Sequence, residues 1–201
     1  MINNIAKVIS YILHPLLIPT YVILIIIYYN PYFNYLMPPN LKALILLILF
    51  ILTFFIPAML MLLMKHLKII SSLTMDKQEE RTLPLLLTTI SLYAAFYVFK
   101  SLKLPFNLYE FLLIAAALTL IGMIINLRIK ISLHAIGMGA FTAFVFNLKN
   151  YNTSILFGLF VMAIFLSGLA MTSRLKLKLH SLFQIFLGYF IAFLFTMSLL
   201  K

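Results

Sequence analysis

Residues 42–64 read KALILLILFILTFFIPAMLMLLM, and after Lys42 no charged side chain appears until Lys65. A hydrocarbon core of roughly 30 Å needs about 20 mostly apolar residues in helical form, and this run supplies them. A strand of a membrane barrel would alternate apolar and polar residues, which this run does not do. It therefore predicts a helix that crosses a bilayer, kinked or re-entrant at Pro57.

Working outward, further apolar runs bounded by charges or proline fall at 8–29, 84–99, 109–127, 132–148, 153–172 and 181–200, giving seven segments in all. The expected fold is all-α, a polytopic transmembrane helix bundle. It forms one integral membrane domain over 1–201, with two N-terminal spans in 1–64 and a motif-bearing core in 65–201. With 65% hydrophobic and 9% charged residues, and a mean hydropathy of +1.14, the chain is far from an ordinary soluble domain. Pro15 and Pro19 are expected to kink the first segment. That segment has no small-residue cleavage site, so it reads as a retained span and not a removed signal peptide. The runs at 84–99 and 132–148 are short for full spans and are expected to begin inside a polar cavity.

The formal charge is +11, from 15 Lys and Arg against four acids, and it lies mostly in the connections. This pattern fits contact with lipid headgroup phosphates; without a soluble basic domain, no nucleic-acid partner is expected. The absence of cysteine excludes disulfides, thiolate metal sites and nucleophilic thiols. No His-Glu-x-x-His or comparable spacing is present, so neither a metal nor another cofactor is expected.

Hydrophilic residues concentrate in three stretches, each separated from the next by two apolar segments, so an even number of crossings puts all three on one face. The first reads Asp76-Lys77-Gln78-Glu79-Glu80-Arg81-Thr82-Leu83-Pro84. Lys77 and Arg81, four apart, would share a helical face and call for an anion between them; alternatively the stretch is a solvated turn in which Lys77 pairs with Glu80. The second, Lys130-Ile131-Ser132-Leu133-His134, opens a helix that Ser132 would cap, with Gly137 and Gly139 allowing close approach. His134 alone reads equally as a packed, hydrogen-bonded ring. The third runs from Ser173-Arg174 to His180, with Gln184 beyond; alone it also reads as a basic loop on lipid phosphates. His14 and His66 are expected to be structural or interfacial. Taken together, cations, hydroxyls and two imidazoles on one face suit phosphoryl transfer without a metal, one imidazole attacking phosphorus and the other protonating the leaving oxygen.

The order of these stretches, the Ser-x-His and the Ser-Arg-x5-His resemble the three-part signature of the type 2 phosphatidic acid phosphatase superfamily over about half the chain. The resemblance implies a six-helix, metal-independent phosphatase core acting on a membrane lipid phosphate or diphosphate. Lys77, Arg81 and Arg174 would bind phosphate, with Ser132 and Ser173 as further donors. His180 would form a phosphohistidine, and His134 would be the general acid. The first segment would be an addition to that core. Three residues separate Lys77 from Arg81 where the family has six before an adjacent Arg-Pro, and Gln184 stands where it has Asp. A neutral amide orients an imidazole with little electrostatic help, so a weaker nucleophile is expected unless Asp76, Glu79 or Glu80 substitutes in space. The alternative reading is a catalytically weak or inactive relative that binds anionic lipid or serves as a subunit of a membrane complex.

The motif face carries Lys7, Lys65, Lys68, Lys77, Arg81, Arg128, Lys130, Arg174, Lys176 and Lys178, against Lys42, Lys100, Lys103, Lys149 and Lys201 opposite. The positive-inside rule puts the motifs in the cytoplasm, although many relatives of that superfamily face the periplasm. The expected location is a bacterial inner membrane.

Overall fold

The computed structural model describes residues 2–75, 77–148 and 153–200; Asp76, Lys149 and Lys201, named above, lie outside them. The described residues form ten α-helices and no strand: α1 Ile2–Ile12, α2 Ile18–Tyr29, α3 Pro31–Leu36, α4 Pro39–Phe50, α5 Ile56–His66, α6 Thr82–Ser101, α7 Glu110–Asn126, α8 Leu133–Asn147, α9 Thr153–Lys176 and α10 Leu182–Leu199. Five helical stretches are long and apolar enough to cross a membrane: Asn3–Tyr29, Pro39–His66, Glu79–Ser101, Phe157–Lys176 and Leu182–Leu199. The chain is thus a multi-pass membrane protein. At the positions of the other two expected segments stand α7 and α8, shorter apolar helices that are not among those five. The third segment is not short as expected: α6 has 20 residues. The fifth is, since the 15 residues of α8 rise only about 22 Å.

Proline acts differently at each site. Pro15 ends α1 and starts a single 3₁₀ turn over Pro15–Leu17, with His14 capping it in an extended conformation. Pro57 produces a π-helical turn over Ile51–Phe55. There the Ile56 amide donates to Ile51, one residue further back than an α-helix requires. Leu52's carbonyl therefore loses its α partner, and its π partner would be Pro57, which has no N–H. Ser91 of α6 fills the gap by donating its hydroxyl to that carbonyl. Ser91→Ala should leave a buried acceptor unpaired and lower stability by about 1–2 kcal/mol in an SDS unfolding titration. Unchanged stability would mean that the carbonyl finds another donor.

Three helices end in the same way. In each a lysine adopts a left-handed backbone: Lys68 after α5, Lys103 after α6 and Lys178 after α9, with φ of 60°, 54° and 54°. Each lysine amide reaches back three residues and the next amide five, as in Leu179 to Arg174 at 3.1 Å. These are the paired bonds of a Schellman cap, a position usually given to glycine.

The chain divides into two compact units, Pro19–Met123 and the pairing of Met1–Ile18 with Ile124–Lys201. This differs from the expected division at residue 64. The first 18 residues belong with the C-terminal third because their side chains and backbone bond to α8 and α9, as described below.

In the unit Pro19–Met123, α6 lays Leu85, Thr88, Leu92, Ala95 and Phe99 inward at helical spacing, against α5 and the π turn. The other unit is built around α8, whose residues from Ala135 to Val145 are buried except Gly137. A helix apolar all round needs neighbours all round. It has α10, α9 and the Pro15 turn. Small residues permit the approach: a Cβ on Gly139 would lie 2.2 Å from the Tyr189 carbonyl oxygen, and one on Gly188 would lie 3.0 Å from that of Ser132. Thr142 and Ser167 add a hydroxyl pair at 2.9 Å between α8 and α9.

Candidate functional site

The site is built in the α8-centred unit, where the ends of four helical elements meet. Ser132, fully buried, caps α8 by accepting the Ala135 amide at 3.4 Å, as its position predicts. This cap fixes the first turn of α8 and so His134. The His134 ring meets the carbonyl of Ser10 on α1, Nε2 to O at 3.0 Å. A carbonyl can only accept, so Nε2 carries the proton and the lone pair lies on Nδ1.

Ser10 also links α1 to α9. Its hydroxyl lies 2.9 Å from that of Ser173, which in turn donates to Ala170 at 2.7 Å. Since the Ser173 proton is used there, Ser10 is the donor of the pair. Ser173 is only 3% exposed, and its hydroxyl has two protein partners in this structure. The next residue, Arg174, is half-buried, and its charge acts on both His134 and His14. The Schellman cap at Lys178 then reverses the chain immediately after Arg174 and delivers His180 to the start of α10. His134 lies within electrostatic reach of His180 as well as Arg174. The two motif histidines and the motif arginine thus share one neighbourhood.

Gln184 has a definite task. It forms a capping box with Ser181: the Ser181 amide donates to Gln184 Oε1 at 3.1 Å, and the Gln184 amide donates to the Ser181 hydroxyl at 3.4 Å. Having accepted an N–H, Oε1 is the amide oxygen. It lies 3.2 Å from His180 Nδ1, so Nδ1 carries the proton and the His180 lone pair is on Nε2. A neutral side chain thereby fixes a tautomer, the orienting role expected of a carboxylate.

Sequence reasoning missed two participants. His14, expected to be structural or interfacial, stands edge-on to His134 with ring centroids 5.3 Å apart. Ser10 was not singled out at all. The available signal was Ser10 and His14 four residues apart in an otherwise apolar run, the spacing of one helical face. His66, at the end of α5, is exposed, in keeping with an interfacial position.

The first motif belongs to the other unit. Lys77 is exposed and precedes a short 3₁₀ turn over Glu79–Arg81, so Lys77 and Arg81 do not share the helical face expected of them. Arg81, 5% exposed, donates from Nε to the Met75 carbonyl at 2.9 Å. Glu80 accepts from the Ser71 amide and hydroxyl, both at 2.9 Å, and feels the charge of Lys77. These bonds lie within the connection between α5 and α6. Among the described residues no group of three or more histidines and carboxylates is placed to hold a metal ion.

No family model matches the chain, and neither a curated protein nor a solved structure gives a match.

Proposed function

We propose that the protein is a metal-independent membrane lipid phosphatase or phosphotransferase, with His180 as nucleophile and His134 as general acid. One observation carries this reading. His134, with its Nε2 on the Ser10 carbonyl, stands edge-on to His14 in the field of Arg174, and residues 1–18 and 124–201 contain no Asp or Glu side chain. A half-buried cluster of this sort is stabilised by an anion, and a tetrahedral phosphate suits a guanidinium with imidazole donors around it.

The tautomers suit the chemistry. His180 Nε2 attacks phosphorus, forming a P–N bond as the P–O bond to the lipid breaks. Protonated His134, its Nε2–H held by the Ser10 carbonyl, passes its Nδ1 proton to the leaving oxygen, a contribution of about 10²–10⁴ in rate. Water, or an acceptor alcohol in the transferase variant, then attacks phosphorus, His134 takes its proton, and the P–N bond breaks. Arg174 neutralises the nonbridging oxygens throughout.

A lipid substrate is favoured by position. The cluster lies where α9 ends and α10 begins, the level of headgroups, and α10 exposes Phe183, Phe186, Phe190 and Leu194 along one stripe for acyl chains. In this reading α7 and α8 also cross, giving seven spans in a bacterial inner membrane, six of them forming the phosphatase core. The second reading, an anionic-lipid binder of weak or no activity, is favoured by the neutral Gln184.

The test is incubation of the purified chain with a panel of ³²P-labelled lipid phosphates in excess chelator. Expected are release of inorganic phosphate and an acid-labile, alkali-stable phosphoprotein whose label maps to residue 180. Lipid binding with neither release nor label would favour the second reading.

A further inference from the structure

We infer that His14 is an anion-binding residue of this site, donating its Nε2–H to the phosphate that Arg174 neutralises. The inference rests on the proposed phosphate site but not on its catalysis. His14 is held firmly. The proline that follows keeps it extended, with φ of −69° and ψ of 136°, and its Nδ1 accepts the Leu16 amide at 3.3 Å. The proton of the neutral ring is therefore on Nε2. This N–H has no partner among the described residues.

The turn that carries His14 is seated against α8. A Cβ on Gly137 would lie 3.3 Å from both Pro15 and Ile18, so α8 and the turn are in direct contact. That contact places the imidazole edge-on to His134 and in the field of Arg174. A ring serving only to fill space there would be better as phenylalanine, which brings no dipole or charge beside a guanidinium. An imidazole with its acceptor nitrogen tied to its own backbone and its donor edge remaining is instead suited to an anion. Residues 1–18 and 124–201 contain no Asp or Glu side chain, and the anion inferred here is the ligand. The ligand chemistry is a phosphate monoester, either a lipid headgroup or free phosphate. The first helix, expected to be an addition to the core, becomes a contributor to the pocket.

The experiment uses the full chain in nanodiscs with His180→Asn as parent, so that no turnover occurs. Calorimetry measures binding of inorganic phosphate and, separately, of dihexanoyl phosphatidic acid. In that parent, His14→Phe keeps the edge-on ring but loses both the Nε2–H and the Nδ1 acceptor of the Leu16 amide. His14→Asn keeps a capping acceptor on a side chain too short to reach the phosphate and is expected to bind as weakly as His14→Phe, and His14→Gln keeps a longer N–H donor. Expected is an at least tenfold weakening with His14→Phe, recovered in part with His14→Gln. Binding of the lipid alone identifies the headgroup as the source; binding of both identifies a pocket for phosphate itself. His14→Phe binding as tightly as the parent, or a parent that binds neither ligand, overturns the inference. A wild-type chain that releases no phosphate, combined with His14-dependent binding, removes the phosphohistidine reading and leaves the role of His14 intact.

Discussion

His180→Ala is expected to lower phosphate release from a lipid phosphate by at least about 10⁴-fold, because loss of a covalent nucleophile removes the whole double-displacement route. The protein should remain folded. The turn that delivers position 180 is closed by backbone bonds from Lys178 and Leu179, and α10 keeps the Ser181 and Gln184 capping box, neither of which needs the imidazole. The bond between His180 Nδ1 and Gln184 Oε1 is lost, and Oε1 retains the Ser181 amide. A change in stability below about 1 kcal/mol is therefore expected. The radiolabelled phosphoprotein should disappear together with turnover. Release within tenfold of wild type would place the nucleophile elsewhere.

Gly139→Ala is expected to be the most damaging substitution for the fold. Its new methyl group would lie 2.2 Å from the Tyr189 carbonyl oxygen and 3.0 and 3.1 Å from that residue's carbonyl carbon and Cα. All three are backbone atoms, so no rotamer change gives relief, and α8 and α10 must separate by about 1 Å or more. Overpacking of this type costs about 1–3 kcal/mol. The functional loss should be larger than the stability loss, because α8 carries His134 and α10 begins just after His180. A misplacement of about 1 Å can cost on the order of 10² in rate. Gly158→Ala and Gly168→Ala are the controls: nothing lies within 4 Å of either new methyl group, and alanine favours helix by roughly 1 kcal/mol. Thermal denaturation followed by size exclusion should rank Gly139→Ala well below wild type and both controls at or above it. A Gly139→Ala protein with wild-type melting and turnover would contradict the α8–α10 contact.

The helical class was legible because apolar runs of this length have few other solutions, and Lys42 to Lys65 shows it best. The neighbourhood of His134, Arg174 and His180 was legible from pattern, since each residue brackets a turn between apolar segments. His14 was not. Its partner on α8 lies 120 positions away in sequence, and one histidine in an apolar run carries no mark of which helix returns to it. The first motif misled for a local reason: a four-residue spacing implies a shared face only inside an α-helix, and Lys77 precedes the turn that begins at Glu79. Gln184 reads as a defect when compared with a carboxylate and as a part when seen with Ser181. The Ser-x-x-Gln spacing of a capping box was present in the sequence.

The left-handed lysines at 68, 103 and 178 carry a wider implication. At each of these corners a single side chain both stops a coil and bears an ammonium group that seeks water beside spent carbonyls. The backbone turn at each of these lysines marks where the preceding helix stops. A residue inserted upstream in α9 would push the float at 178 past the waterline and drag Arg174 with it. The position of Arg174 along its helix is in this way tied to the stop signal of that helix.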